Sequence, residues 1–232
     1  MPWRKVNQSP GTASGGGRMI KRRVVIVGAG AAGRIVAYNL GYGGDVEVVG
    51  FVDSDPAKWR TELSGRPVLG PDSILPELAS QGVRFAVIAA GEPRIRRRIR
   101  EQVMAAGLEL VNAIHPTAIV SPGARLGRGV VILAGSVLSD NPVIEDNVWV
   151  GLGAAITHDT TIGRDCLIGG RSAIGAYVDV GAEAMVGWGA VVGLNCRIGA
   201  RAAVGSGANV VSDIPEDAVA VGNPAKVIKV RG

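Results

Sequence analysis

The sequence predicts an α/β plus β protein: a small parallel sheet with crossover helices, followed by a solenoid of short stacked parallel strands. Three observations carry that prediction. Starting at Val120 every sixth residue is a branched aliphatic, an apolar segment at 23–27 runs straight into Gly28-Ala29-Gly30-Ala31-Ala32-Gly33, and the 232 residues hold 35 glycines against four Trp, three Tyr and two Phe. A chain this poor in rings cannot fill a wide interior.

Composition narrows the function classes. The chain is 47% apolar and 19% charged, which is enough to bury a core. No apolar run reaches the roughly 18 residues of a membrane span, and the first 20 residues lack the apolar middle of a secretory signal, so cytoplasmic residence is the default. Residues 1–20 carry no fold signal and are expected to be disordered. Two cysteines, Cys166 and Cys196, are too few for a disulfide framework or a cysteine-built zinc site. A net charge of +5 with few rings argues against nucleic-acid binding. The cluster Arg94, Arg96, Arg97, Arg98 and Arg100 reads as a solvated helix face.

The first unit is expected over 21–114. Strands are expected at 23–27, 46–52, 85–89 and 108–112, and helices from the glycine loop to about Tyr42, at 72–80 and at 93–106. Alternation of this kind implies a parallel sheet. Gly28, Gly30 and Gly33 match a fingerprint in which a tight turn brings backbone N–H groups and a helix N-terminus up to a phosphate. Asp53 lies where an acidic group commonly receives a ribose hydroxyl. With only about 95 residues, the unit suits a mononucleotide better than a dinucleotide.

The second unit is expected over 115–232. The aliphatics Val120, Leu126, Ile132, Leu138, Ile144, Val150, Ile156, Ile162, Ile168, Ile174, Val180, Val186, Val192, Ile198, Val204 and Val210 keep the period without a miss, and glycine follows ten of them. Four positions after the aliphatic the residue is small or Val in all units except Pro142 and Ile214. Neither a helix nor a simple alternating strand yields that pattern. Short strands stacked coil on coil do, with glycine expected where a tight corner excludes a Cβ.

The chain holds only two histidines, so a three-histidine zinc site is excluded. His115 precedes a proline at the unit junction and reads as a packing residue. His158 falls two residues after Ile156, at a corner that should project outward. With 18 residues to a coil, as the resemblance of this pattern to the hexapeptide-repeat acyltransferases implies, it stacks between Asp140 and Ala176, and Asp159 between Asn141 and Tyr177. A fold-building repeat has no need of an imidazole there.

The solenoid pattern resembles the hexapeptide-repeat acyltransferases, which implies a left-handed parallel β-helix and a trimer. From about Ile20 onward the chain resembles the NeuD/PglD-type sugar O- and N-acetyltransferases, with an N-terminal Rossmann-like nucleotide-sugar domain. The motifs are Val27-Gly28-Ala29-Gly30 with Gly33, Gly50-Phe51-Val52-Asp53, Ile114-His115-Pro116-Thr117-Ala118, Thr157-His158-Asp159 and Ala220-Val221-Gly222-Asn223-Pro224-Ala225-Lys226. The resemblance implies His158 as general base with Asp159 as its acidic partner. It implies that Gly30, Ala31 and Ala32, then Asp53 and Ser54, then Gly91 contact a uridine diphosphate. Acetyl-coenzyme A, as cosubstrate, would lie between subunits of a homotrimer along Leu167, Trp188 and Ser206, with Lys226 near its phosphates. Gly151-Leu152 departs from the Asn-Thr of many relatives, and an aspartate follows the histidine where some N-acetyltransferases have a glutamate. The acceptor therefore stays open between an amine on a nucleotide-linked sugar and a hydroxyl of a sialic or related sugar. A nucleotide-sensing scaffold trimer is the non-enzymatic alternative.

Overall fold

The computed structural model describes residues 21–231; the expectation for residues 1–20 lies outside them. The N-terminal unit is a parallel sheet built from β1 (Arg22–Val27), β2 (Val46–Val52), β3 (Glu62–Leu63), β4 (Arg66–Gly70), β5 (Phe85–Ile88) and β6 (Glu109–Leu110), with α1 (Ala31–Gly41), α2 (Leu75–Ser80) and α3 (Pro93–Ala105) between them. Strand order is β3-β4-β2-β1-β5-β6. All pairs are parallel except the short β3–β4 hairpin. Sequence reasoning missed that hairpin: Ser64-Gly65, both at positive φ, make its turn inside a polar stretch with no alternating pattern. The helix expected at 72–80 opens as a 3-10 turn, Asp72–Ile74, because Pro76 leaves no N–H for a regular first turn. No helix among the described residues is long and apolar enough to cross a membrane.

The C-terminal unit is a left-handed parallel β-helix of two-residue strands on three faces. Face one runs Ala113–Ile114, Val131–Ile132, Trp149–Val150, Leu167–Ile168, Met185–Val186 and Ala203–Val204. Its first strand already pairs with Val131–Ile132, so the solenoid starts at Ala113. Face two carries Ile119–Val120, Val137–Leu138, Ala155–Ile156, Ala173–Ile174, Val191–Val192 and Asn209–Val210. Face three carries Arg125–Leu126, Val143–Ile144, Thr161–Ile162, Asp179–Val180 and Arg197–Ile198. Within each face every strand pairs with the one 18 residues on. The periodic aliphatics point inward and form one core with the small residues four positions later.

The hexad glycines have a different cause from the corner expected of them. Gly163, Gly169 and Gly181 have ordinary φ values, but a Cβ on any of them would fall within 2.5–2.7 Å of the backbone of the next coil. Positive φ falls instead on corner residues such as Asn147, Asp159, Asp165 and Tyr177. Coil-to-coil contact, then, excludes the Cβ.

The two units share a core. Outward residues of face one, Val131, Trp149 and Leu167, pack with Phe51, Val87 and α1. Here the reading of the arginine cluster is corrected. Arg94 and Arg98 are exposed, but Arg96 is fully buried, Arg100 clasps Asp165 through Nε and Nη2 at 3.0 Å, and Arg97 reaches Glu183 at 3.3 Å. Their acceptors stack at 18-residue intervals on the edge between faces three and one, so α3 is a docking helix. A solvated face and a face meeting polar corners have the same sequence signature.

Ile162 lies at the centre of the solenoid core with no exposure. Ile162→Ala is expected to cost about 2–5 kcal/mol, measured by denaturant unfolding. A loss below about 1 kcal/mol would mean that the coils collapse onto the gap.

Candidate active site

β1 ends in the glycine loop because parallel strands deliver their loops to one carboxyl edge, beside the ends of β2 and β5. The Gly28 N–H donates to Val52 O at 2.8 Å, and the Ala89 N–H donates to Val27 O at 2.8 Å. The glycines divide into two kinds. Gly28, at φ +115, would drive a Cβ to 2.5 Å from Ala89 O, and a Cβ on Gly33 would meet Gly28 O at 2.2 Å. Gly30 and Gly91 face open space. The first pair is required by packing, whereas a side chain at either of the second would meet nothing. Gly30 is the N-cap of α1, whose start has no side-chain cap and no acidic residue in its first turn. The N–H groups of Ala31, Ala32 and Gly33 therefore form an open anion-binding end.

Asp53 is already engaged. Its Oδ2 accepts from Ala29 N–H at 2.7 Å and Lys58 Nζ at 3.0 Å, and its Oδ1 accepts from Asp55 N–H at 2.9 Å. Burial pushes its carboxyl up, but the Asp55 and Ala29 N–H groups and Lys58 outweigh that and hold it below the ordinary value. Asp53 thus pins the glycine loop, with one lone pair of Oδ1 left over. Ser54 is exposed beside it. Lys58 and Trp59, whose indole N–H donates to Asp53 O at 2.7 Å, complete this shell and were missed in the sequence. The Asp55-Pro56 start of a 3-10 turn was the available signal.

His158 stands on the edge between faces two and three, with 46% of its side chain exposed. Its Nδ1 lies 3.0 Å from Asp159 Oδ2, and its ring meets Tyr177 edge-on at 5.2 Å. Asp159 also accepts from Asn141 Nδ2 at 3.0 Å, as the stacking count requires. Hydrogen bonds from His158 and Asn141 hold the Asp159 carboxyl below its usual value. A carboxylate on Nδ1 favours the tautomer with its proton there, leaving a lone pair on Nε2. That nitrogen can take a proton from an attacking group. His115 packs near the Tyr38 and Tyr42 rings, with Nδ1 2.8 Å from Thr117 Oγ1.

Trp188 lies on the edge between faces one and two, 55% exposed, with its ring laid over Gly170. Ser206 stacks one coil further on the same edge and is exposed. Lys226 pairs with Val221, which abuts Gly205 beside Ser206. Leu167 departs from this group: its side chain joins the interdomain core on face one. A cleft of about 260 Å³ runs between α1 and the same edge, lined by Arg34, Ile35, Tyr38, His115, Leu133 and Leu152.

The structure therefore gathers the glycine loop, Asp53, Ser54 and Gly91 at one sheet edge, and Trp188, Ser206 and Lys226 along one solenoid edge. Within a protomer, His158 belongs to neither group. The N-terminal unit covers face one, and the edge bearing His158 lies opposite that face.

Comparison with known proteins agrees with both halves. The PglD N-terminal domain model matches residues 23–103, and the bacterial transferase hexapeptide (six repeats) model matches residues 141–176. PerB from Caulobacter crescentus, solved with CoA and GDP-perosamine, is 39% identical, with a TM-score of 0.84 over 89% of this chain and 97% of that one. The chain belongs to the PglD/NeuD-type sugar acetyltransferase family. The acetyltransferase domain of PglB from Neisseria gonorrhoeae, solved with acetyl coenzyme A, is 32% identical, with a TM-score of 0.83 over 90% of this chain and all of that one. The UDP-N-acetylbacillosamine N-acetyltransferase of Bacillus subtilis is 31% identical over 116 residues, which is 49% of this chain and about half, 52%, of that protein.

The Asp53 network predicts a pH signature. A carboxyl held low in the fold contributes stability above its unfolded value of about 4, and loses it as pH falls through the lower folded value. Asp53→Asn should therefore melt below the parent at pH 7, with the gap closing in acid below about pH 4. A gap in melting temperature that stays constant down to pH 2 would show that the charge of Asp53 is not what holds the loop.

Proposed function

We propose that this protein transfers the acetyl group of acetyl-coenzyme A to the amino group of a nucleotide-linked sugar. The observation that carries the reading is the His158–Asp159 pair, projecting into solvent from a solenoid that otherwise needs no imidazole, in a chain whose N-terminal domain carries an open glycine loop at a helix start. In the reaction the sugar nitrogen attacks the thioester carbon, a C–N bond forms, the C–S bond breaks, and the coenzyme leaves as its thiolate. Nε2 of His158 takes the proton that the nitrogen sheds. Asp159 stabilises the resulting imidazolium and fixes the ring. Ala31, Ala32 and Gly33 N–H groups hold the diphosphate, with Gly91 and Ser54 beside it.

The faces support a trimeric assembly. Face one is covered by the N-terminal domain, and face three presents Arg125, Thr161, Asp179 and Arg197 outward. Face two presents Ile119, Val137 and Val191, between 38% and 51% exposed, with Tyr177 and Leu194 on one edge and Leu152 and Trp188 on the other. An apolar patch of that extent marks an interface. Closing three copies with face two toward the axis brings the His158 edge of each against the Trp188 edge of the next. His158 then meets a neighbour's coenzyme groove and the loop end of its α1. Two half-sites, separate in one protomer, become one site in a homotrimer.

The nucleotide is a diphosphate of uridine, as the family resemblance implies, or of guanosine, the form carried by the sugar nucleotide in the PerB complex. GDP-perosamine and UDP-N-acetylbacillosamine are the first acceptors to assay. His158→Ala is expected to lose turnover about a hundredfold or more with melting unchanged, and undiminished turnover would remove His158 as the base. Val191→Asp is expected to break the trimer into monomers by sedimentation and to abolish turnover with it. An active Val191→Asp monomer would refute the shared site.

A further inference from the structure

We infer that Arg96 is a positioning residue which holds the nucleotide pocket at the level of the coil that bears His158, acting through Asn147. This rests on the function proposed above. Arg96 is the largest fully buried side chain among the described residues, and all five of its N–H groups are used. Nη1 donates to Ile88 O at 3.2 Å and Ala90 O at 2.9 Å. Nε donates to Asn147 O at 2.9 Å, and Nη2 donates to Asn147 O at 2.6 Å and Asn147 Oδ1 at 2.7 Å.

The two ends of this clamp are not arbitrary. Ile88 and Ala90 flank Ala89, whose carbonyl crowds Gly28, and Ala90 directly precedes Gly91. One end of the guanidinium therefore grips the strand end that shapes the glycine loop and the open side of the pocket. The other end grips the corner residue Asn147, which is fully buried at φ +57. Asn147 lies 11 positions before His158 on the same turn of the solenoid. Its Nδ2 donates back to Arg96 O at 3.1 Å and to Asp165 Oδ1 at 2.7 Å, so the corner cannot turn away.

Rotation about a three-fold axis along the solenoid preserves height. A pocket fixed to one protomer's Asn147 coil is thereby fixed to the level of the neighbour's His158. Domain docking alone does not require this, because Val131, Trp149 and Leu167 already supply an apolar seat. Arg97 reaches Glu183 and Glu101, and Arg100 reaches Asp165 and Met104, so neither bonds to the strand end beside the glycine loop.

The test uses the full-length protein with Arg96→Lys, Asn147→Gly and Arg97→Ala. Lys keeps the charge but has three donors in place of five, and Gly keeps both the left-handed corner and the carbonyl acceptor. Steady-state constants are measured with whichever of GDP-perosamine and UDP-N-acetylbacillosamine the parent turns over, and separately with acetyl-coenzyme A. Arg96→Lys is expected to raise KM for the sugar nucleotide at least tenfold and Asn147→Gly severalfold, with KM for acetyl-coenzyme A within twofold of the parent. Arg97→Ala is expected to leave both constants within twofold. Unchanged sugar-nucleotide KM in Arg96→Lys, a parallel rise in both constants, or an equal rise in Arg97→Ala would overturn the assignment. Should the parent turn over neither sugar, the proposed function fails. The clamp is then judged by calorimetry with GDP and UDP, where Arg96→Lys must weaken binding tenfold to sustain it.

Discussion

Every position in the solenoid is set by the close stacking of one coil on the next. Backbones approach at the interstrand distance, about 4.8 Å, and glycine is required where that approach leaves no room for a Cβ. Because the repeat is invariant, each residue of the solenoid has a fixed face, a fixed edge and a fixed height. An aliphatic points inward, the residue before it points outward, and those two and three positions later form the edge. Chemistry placed on such a frame needs no flexible loops: His158, Trp188 and Asn147 each hold a coordinate on a rigid prism.

The outward residues then give each face its use. Face one spends its apolar positions on the N-terminal domain, face three is polar, and face two is left apolar without a cover in the single chain. The same lattice puts the histidine edge opposite the face that seats the N-terminal domain in one protomer. Two groups on opposite sides of a prism meet only when prisms pack around an axis, which is the arrangement proposed above.

Most of this was legible in the sequence because the solenoid converts spacing directly into geometry. The stacking of Asp159 under Asn141 followed from counting 18 residues, and the hydrogen bond between them is present. What failed was of another kind. The arginines of α3 were read as solvated because periodicity says which face of a helix is polar and not what lies opposite it. Counting 18 residues along the corner Asn147, Asp165 and Glu183 would have exposed a polar ladder in need of donors. A further role of Asp53 is not visible in its place after β2, because its bonds to Ala29 and Lys58 depend on how the 3-10 turn folds back. Only Asp55-Pro56 marks that turn in the sequence.

The ladder also bears on why polar groups join the two domains where apolar ones would fit. An apolar seat such as Val131, Trp149 and Leu167 repeats itself every coil, and a domain resting on it alone could slip by one rung with little loss of buried area. In α3, residues four apart rise about 6 Å along the axis, close enough to the coil spacing that Arg96 meets Asn147 while Arg100 meets Asp165. Shifted by one rung toward the start of the solenoid, Arg96 would face the corner at Gly129, Arg100 would face Asn147, and the buried Asp165 carboxylate would lose its cation. Buried ionic groups are weak sources of stability but strong selectors of register when a mismatch leaves a charge unpaired. If the histidine and the nucleotide that meet belong to neighbouring subunits, as proposed above, register along the solenoid determines whether they arrive at the same level.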